Sequence, residues 1–261
     1  MNRIVLCDVP KTKKPSPKLA SLSRTSNPLI RSQDSDHSIF VPLHYESNYS
    51  YPVIVWLHGP KDDERQLKKV MPLVSMRNYV GIGVCGTQLV GGERASGSYE
   101  GYSWRQDTTS ILESQAKVID CLQAAQERFN IRMDRVFLAG YDAGGTMALR
   151  LGLMNPERFA GVASIGGALP QQAQPFSRIN AARSLQVMVS QGKESEEYST
   201  DQLCADLRMF HRAGMSVTLR QYPCGQEVST AMLRALDNWI MQIISGQPVD
   251  SEQAFSAENR N

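Results

Sequence analysis

Gly140-Tyr141-Asp142-Ala143-Gly144 is the stretch of this chain whose residue types and spacing point most directly at chemistry. An apolar run from Arg135 to Gly140 precedes it and reads as a buried strand, and Thr146 to Met154 follows and suits a helix. Strand, tight turn and helix make up the nucleophile elbow, in which Gly-x-Ser-x-Gly lifts the central side chain to the head of a helix. The glycine frame is present and the serine is Asp142. A carboxylate placed there can act as a nucleophile, forming an ester that water then cleaves. It can equally be a helix cap that accepts backbone N–H groups and complements the helix dipole.

Other chemistry is thinly represented. The four histidines, at 37, 44, 58 and 211, form no pair on a helix face, so no metal site is expected. Gly140 and Gly144 lack the G-x-G-x-x-G spacing of a dinucleotide fingerprint, and no cofactor is implied. Five dispersed cysteines, at 7, 85, 121, 204 and 224, argue for reduced, mostly buried thiols rather than a disulfide framework. His58 stands at a predicted strand end, and Gly86 to Gln106 reads as a long glycine-rich loop carrying Tyr99, Tyr102 and Trp104. A loop of that length in an α/β domain commonly borders a site.

The elements that must position these residues alternate. Strands are expected at Ile39–Leu43, Tyr51–Leu57, Val80–Cys85, 135–140, Ala160–Ile165, Leu185–Val189 and Ser216–Tyr222. Helices are expected at Asp62–Asn78, with Pro72 a potential break, and at Asp107–Phe129, capped by Thr108 or Thr109. Further helices are expected after the elbow, at Thr200–Ala213 and at Ala231–Ile244. Such alternation predicts an α/β fold, a mostly parallel central sheet with helices on both faces.

At 261 residues the chain is long enough for one large domain, here 38–245. The net charge of +2 is unevenly spread: residues 1–31 hold seven Lys/Arg and one Asp, and the remainder holds 21 against 25 Asp/Glu. Residues 1–37 therefore read as a basic, Pro- and Ser-containing arm and 246–261 as a polar tail. No apolar run is long enough to cross a membrane, and no signal peptide is read at the N-terminus, so a cytoplasmic location without membrane contact is expected. Nucleic-acid binding is not favoured, since no recognition motif accompanies the basic arm.

Together with Leu57-His58-Gly59, the elbow frame resembles the α/β-hydrolase superfamily, and more closely its phospholipase/carboxylesterase and polyester-depolymerase-like branch. DRVFLAGYDAGGTMAL, NPERFAGVASIGG and YPCGQE at 222–227 support the resemblance over about 38–245. It implies a nucleophile at 142, a base at 226, an orienting acid at 195, and oxyanion donors from Ala143 and the loop at Pro60. This chain has Asp142, Gln226, Ser195 (with Glu194, Glu196 and Glu197 alongside) and, at 60, a proline that has no N–H. A carboxamide cannot cycle a proton near neutral pH. The resemblance then implies a hydrolase-like protein that has lost ester hydrolysis. Its pocket would be lined by His58, Trp104, Tyr141, Asp142 and Gln226 and would suit a small polar or cationic ligand, with a cation–π contribution. Two alternatives stand beside this: an active hydrolase with Asp142 as nucleophile, and an interaction module that uses the basic arm to hold a protein partner or a second copy.

Overall fold

The computed structural model describes residues 4–8, 37–94, 97–171 and 176–246. The chain begins with β1 (Ile4–Asp8), β2 (His37–Phe40), β3 (Tyr51–Leu57), α1 (Leu67–Val74) and β4 (Val80–Val84). It continues with β5 (Gln88–Arg94), β6 (Gly97–Ser103), α2 (Thr108–Arg128), β7 (Ile131–Tyr141) and α3 (Ala143–Met154). The last elements are β8 (Gly161–Ile165), α4 (Ile179–Ala182), β9 (Gln186–Gly192), α5 (Thr200–Arg212), β10 (Val217–Tyr222) and α6 (Thr230–Ser245).

Eight strands form one sheet in the order β1-β10-β9-β8-β7-β3-β4-β2. Seven run parallel, and β2 is antiparallel to β4 at one edge. The predicted α/β architecture is therefore present. Alternate side chains of each strand supply two cores. Val53, Val55 and Leu57 of β3 pack on one face with Ile111 and Val118 of α2, Met147 and Leu151 of α3, and Leu203 and Phe210 of α5. Ile54 and Trp56 pack on the other face with Met71 of α1 and Leu236 and Trp239 of α6. Both faces are covered, which is why the central strands are apolar throughout rather than alternating.

Four local expectations are corrected. Gly86–Gln106 is not an open loop: β5 and β6 pair in register from Gln88↔Ser103 to Arg94↔Gly97 as an antiparallel ribbon. Glycines at 91, 92, 97 and 101 weaken the strand pattern in the sequence and hide this pairing. Ile4–Asp8, assigned to the arm, is an edge strand parallel to β10, in register Ile4↔Val217 to Asp8↔Gln221. The α2 cap is Asp107, whose carboxylate accepts from Ser110 N at 3.0 Å, so Thr108 opens the helix proper. α1 passes through Pro72 without breaking, ending at Val74. The rest of the arm and the tail from 247 lie outside the described residues.

Candidate active site

The parallel strands end side by side, and their ends place the site. Leu57 is opposite Gly140, Tyr141 opposite Ile165, Ile165 opposite Ser190, and Gly192 opposite Tyr222. Loops leaving β3, β7, β8, β9 and β10 therefore open at one carboxyl edge, where ligands of open α/β sheets bind.

Asp142 sits at the tip of the turn between β7 and α3, with φ 50° and ψ −118°. Positive φ in a residue with a Cβ costs about 1–2 kcal/mol and persists only where neighbours enforce it. The enforcement is visible. Asp142 N donates to Ile165 O at 2.9 Å, and Thr146 N donates to Asp142 O at 2.9 Å. Both frame glycines are sterically required: a Cβ on Gly140 would lie 2.4 Å from Gly144 O, and one on Gly144 would lie 2.3 Å from the Leu57 and His58 carbonyl oxygens. α3 starts at Ala143, ahead of the expected Thr146.

The expected cap does not form in the usual way, for the Asp142 side chain makes no capping hydrogen bond into the helix. Its carboxylate instead meets the Ala143 amide and the Gln226 carboxamide. Burial holds its pKa above the ordinary carboxylate value; Gln226 and Ala143 oppose that rise, and the Glu197 charge adds to it. No histidine is among the groups that shift it.

Gln226 is held from both ends. Its Nε2 donates to Gly166 O at 2.7 Å, and its Oε1 accepts from Ser195 Oγ at 2.8 Å. Ser195 Oγ in turn accepts from Tyr198 N at 3.0 Å, so its own proton is directed at Gln226. The loops carrying 195 and 226 are zipped by Lys193 N to Tyr222 O at 2.8 Å and Glu194 N to Cys224 O at 3.0 Å. Asp142, Gln226 and Ser195, far apart in the chain, thus meet in one hydrogen-bonded row. Tyr141 closes one side: its hydroxyl donates to Gln226 O at 2.8 Å, its ring lies against Gly59, and burial with the nearby Asp142 charge pushes its pKa up to about 12.

His58 and Trp104 lie behind this row rather than lining it. His58 is fully buried; Nδ1 pairs with Gly59 O at 2.7 Å and Nε2 accepts from Gly86 N at 2.9 Å. Those two partners fix a neutral tautomer with the proton on Nδ1, and burial lowers the ring's pKa. The Trp104 indole donates to His58 O at 2.9 Å and is 4% exposed. Both side chains are consumed in tying the β3 and β4 ends to the ribbon, which corrects their expected place on the pocket wall. Pro60 is exposed, and the preceding Gly59 N is turned to Gln66 Oε1 at 3.3 Å. His44 and His211 are exposed, on the loop after β2 and on α5.

Sequence reasoning missed the support behind Ser195. Buried Tyr198 donates its hydroxyl to Asp206 Oδ2 at 3.0 Å, and that carboxylate also accepts from Leu169 N at 2.7 Å and Gln202 Nε2 at 2.7 Å. Burial raises the Asp206 pKa, with three hydrogen bonds opposing. The signal was an Asp on the inner side of α5, beside the apolar Leu203 and Phe210.

Residues 98–244, more than half of the chain, match the Phospholipase/Carboxylesterase family. The chain belongs to that family. Within the phospholipase/carboxylesterase group, curated relatives include the NocK protein of Nocardia uniformis subsp. tsuyamanensis, whose name assigns it provisionally to the esterases. It is 31% identical over 119 residues, 46% of this chain and 33% of NocK. A probable SOBER1-like carboxylesterase of Arabidopsis thaliana is 22% identical over 139 residues, 52% of this chain and 53% of that one. The chain therefore spans a third to about half of these relatives' lengths. Among solved structures, a carboxylesterase from Mesorhizobium loti superposes with TM-score 0.64 at 18% identity, covering 82% of this chain and 98% of its own. Arabidopsis thaliana SOBER1 superposes with TM-score 0.59 at 20% identity, covering 75% and 100%. At these identities the structural likeness speaks for the α/β-hydrolase fold. Among the described residues, no helix is long and apolar enough to cross a membrane, and no His/Cys/Asp/Glu group has metal-holding geometry.

Proposed function

We propose that this chain is a phospholipase/carboxylesterase-family protein that does not hydrolyse esters and instead uses its elbow carboxylate to bind a small polar or cationic ligand. The contact that carries this reading is Ser195 Oγ to Gln226 Oε1 at 2.8 Å. In a hydrolase of this kind an acid orients an imidazole, which takes a proton from the nucleophile. Here a hydroxyl orients a carboxamide beside a carboxylate, and the group in the base position, Gln226, cannot accept and return a proton near pH 7. The Ala143 amide, one of the two expected oxyanion donors, faces the Asp142 carboxylate, and the second expected donor position is Pro60. A negative charge at 142 would also repel a developing oxyanion.

The same arrangement favours cations. The Glu197 charge acts on Asp142, Glu227 and Glu197 add negative potential at Tyr141, and among the described residues no salt bridge neutralises Asp142. A thermal-shift panel of primary and quaternary amines against the full chain tests the binding half of the reading. Stabilisation by a subset, lost in Asp142→Asn, is expected; equal stabilisation of both proteins would overturn a role for the carboxylate.

A further inference from the structure

Asp142 is placed for a reaction with its own backbone. Closure of an aspartyl side chain onto the following amide makes a five-membered ring containing Cα, Cβ, Cγ, the Asp carbonyl carbon and the next nitrogen. That ring is nearly planar, so Cβ and the next nitrogen must be eclipsed about the Cα–C bond. In an L-residue Cβ stands about 120° from the amide nitrogen around that bond. A ψ of −118° therefore brings the Asp142 Cβ and Ala143 N into near eclipse. Ordinary helix or strand values of ψ leave them far from it.

Four further observations bear on the same step. The Ala143 amide faces the Asp142 carboxylate. As the first residue of α3, Ala143 has an N–H with no place in the intrahelical ladder, so losing that hydrogen breaks no helical bond. The Asp142 carbonyl oxygen, which becomes a ring carbonyl, keeps its bond from Thr146 N at 2.9 Å. Burial, which keeps the carboxyl protonated to higher pH than usual, favours the better leaving group.

We infer that Asp142 is a site of self-modification, closing to a succinimide with Ala143 and reopening in part as a β-linked isoaspartate. In the closing step Ala143 N forms a bond to Asp142 Cγ and the Cγ–OH bond breaks. The amide proton leaves with the hydroxyl as one water, and nothing is oxidised or reduced. Water then reopens the ring: attack at Cγ restores aspartate, and attack at the main-chain carbonyl leaves an isoaspartate with one extra main-chain atom in the turn. The ring holds ψ where the fold already holds it, so it is compatible with the folded elbow. The inference needs only the turn geometry and stands whether or not the site binds a ligand.

The test is intact-protein mass spectrometry and peptide mapping of the folded full chain incubated at 37 °C and mildly acidic pH. A peptide of residues 136–150 is incubated in parallel. An 18 Da loss and isoaspartate mapped to 142, accumulating about tenfold or more faster in the folded chain than in the peptide, are expected from pre-orientation. Asp142→Asn should lose 17 Da, as ammonia, and reach the same isoaspartate sooner. Asp142→Glu, whose ring would need six members, should show neither product. Conversion at 142 no faster than in the peptide, or an Asp142→Asn chain that stays intact, would overturn the inference.

Discussion

Ser195 gives its hydroxyl proton to the Gln226 carboxamide at 2.8 Å while Gln226 Nε2 donates to Gly166 O at 2.7 Å. Every polar atom of that carboxamide is thereby committed, and its orientation is fixed from both sides. The row is well satisfied, and neither the Ser195 hydroxyl nor the Gln226 carboxamide can shuttle a proton at neutral pH.

If the row keeps the spacing of a proton relay, restoring the chemistry should restore turnover. The variant carrying Asp142→Ser, Ser195→Asp and Gln226→His should hydrolyse short-chain p-nitrophenyl esters at least about tenfold above background. Adding Pro60→Gly should raise the rate by roughly 10²-fold, the worth of one oxyanion donor. Initial-rate assays of the wild type, the triple variant, the quadruple variant and each single substitution check both steps.

The Asp142 carboxylate should weaken the fold as it ionises. Its folded-state pKa is raised by burial, so the folded chain binds the proton more tightly than the unfolded chain does. Stability from this group is fully present below the ordinary carboxylate pKa and is lost as pH rises through the raised value. Melting curves of the wild type and Asp142→Asn should converge at low pH and separate upward, with the variant the more stable near neutrality. Parallel profiles across that range would contradict this.

Relief of the turn itself is measured by Asp142→Gly. Glycine accepts φ 50° without the clash of a Cβ, and the change should stabilise by about 1 kcal/mol. Denaturant unfolding at a pH where the carboxylate is ionised reads the combined gain from strain and charge.

Much of this was legible in the chain. Tyr51–Leu57 was bounded correctly because seven apolar residues between turn signals leave little choice. The resemblance pointed to 142, 195 and 226, and these three meet in space because the loops after β7, β9 and β10 open at one sheet edge. Gly166 was not foreseen as the Gln226 acceptor, since a backbone carbonyl leaves no residue-type signal. His58 was placed on the wall because sequence gives a strand end but not the direction of a side chain; its ring turns inward to Gly59 O and Gly86 N. The ribbon at 88–103 was hidden by its glycines, and the edge strand β1 by the prolines and lysines that follow it.

Asp206 is the buried carboxylate on which the 195–198 loop depends. Asp206→Ala would leave Leu169 N, the Tyr198 hydroxyl and Gln202 without their acceptor. A loss of about 3 kcal/mol is expected from stranding several buried donors of a charged acceptor. Thermal unfolding measures it, and a change within about 0.5 kcal/mol, typical of surface sites, would show that the network contributes little to stability.

Hydrolysis by the purified full chain bears most directly on the proposed loss of esterase chemistry. Turnover of short-chain acyl esters should equal buffer alone and should be unchanged in Asp142→Asn, with no acyl adduct at 142 in the intact mass. Turnover above buffer that disappears in Asp142→Asn, or an ester trapped on Asp142, would contradict it.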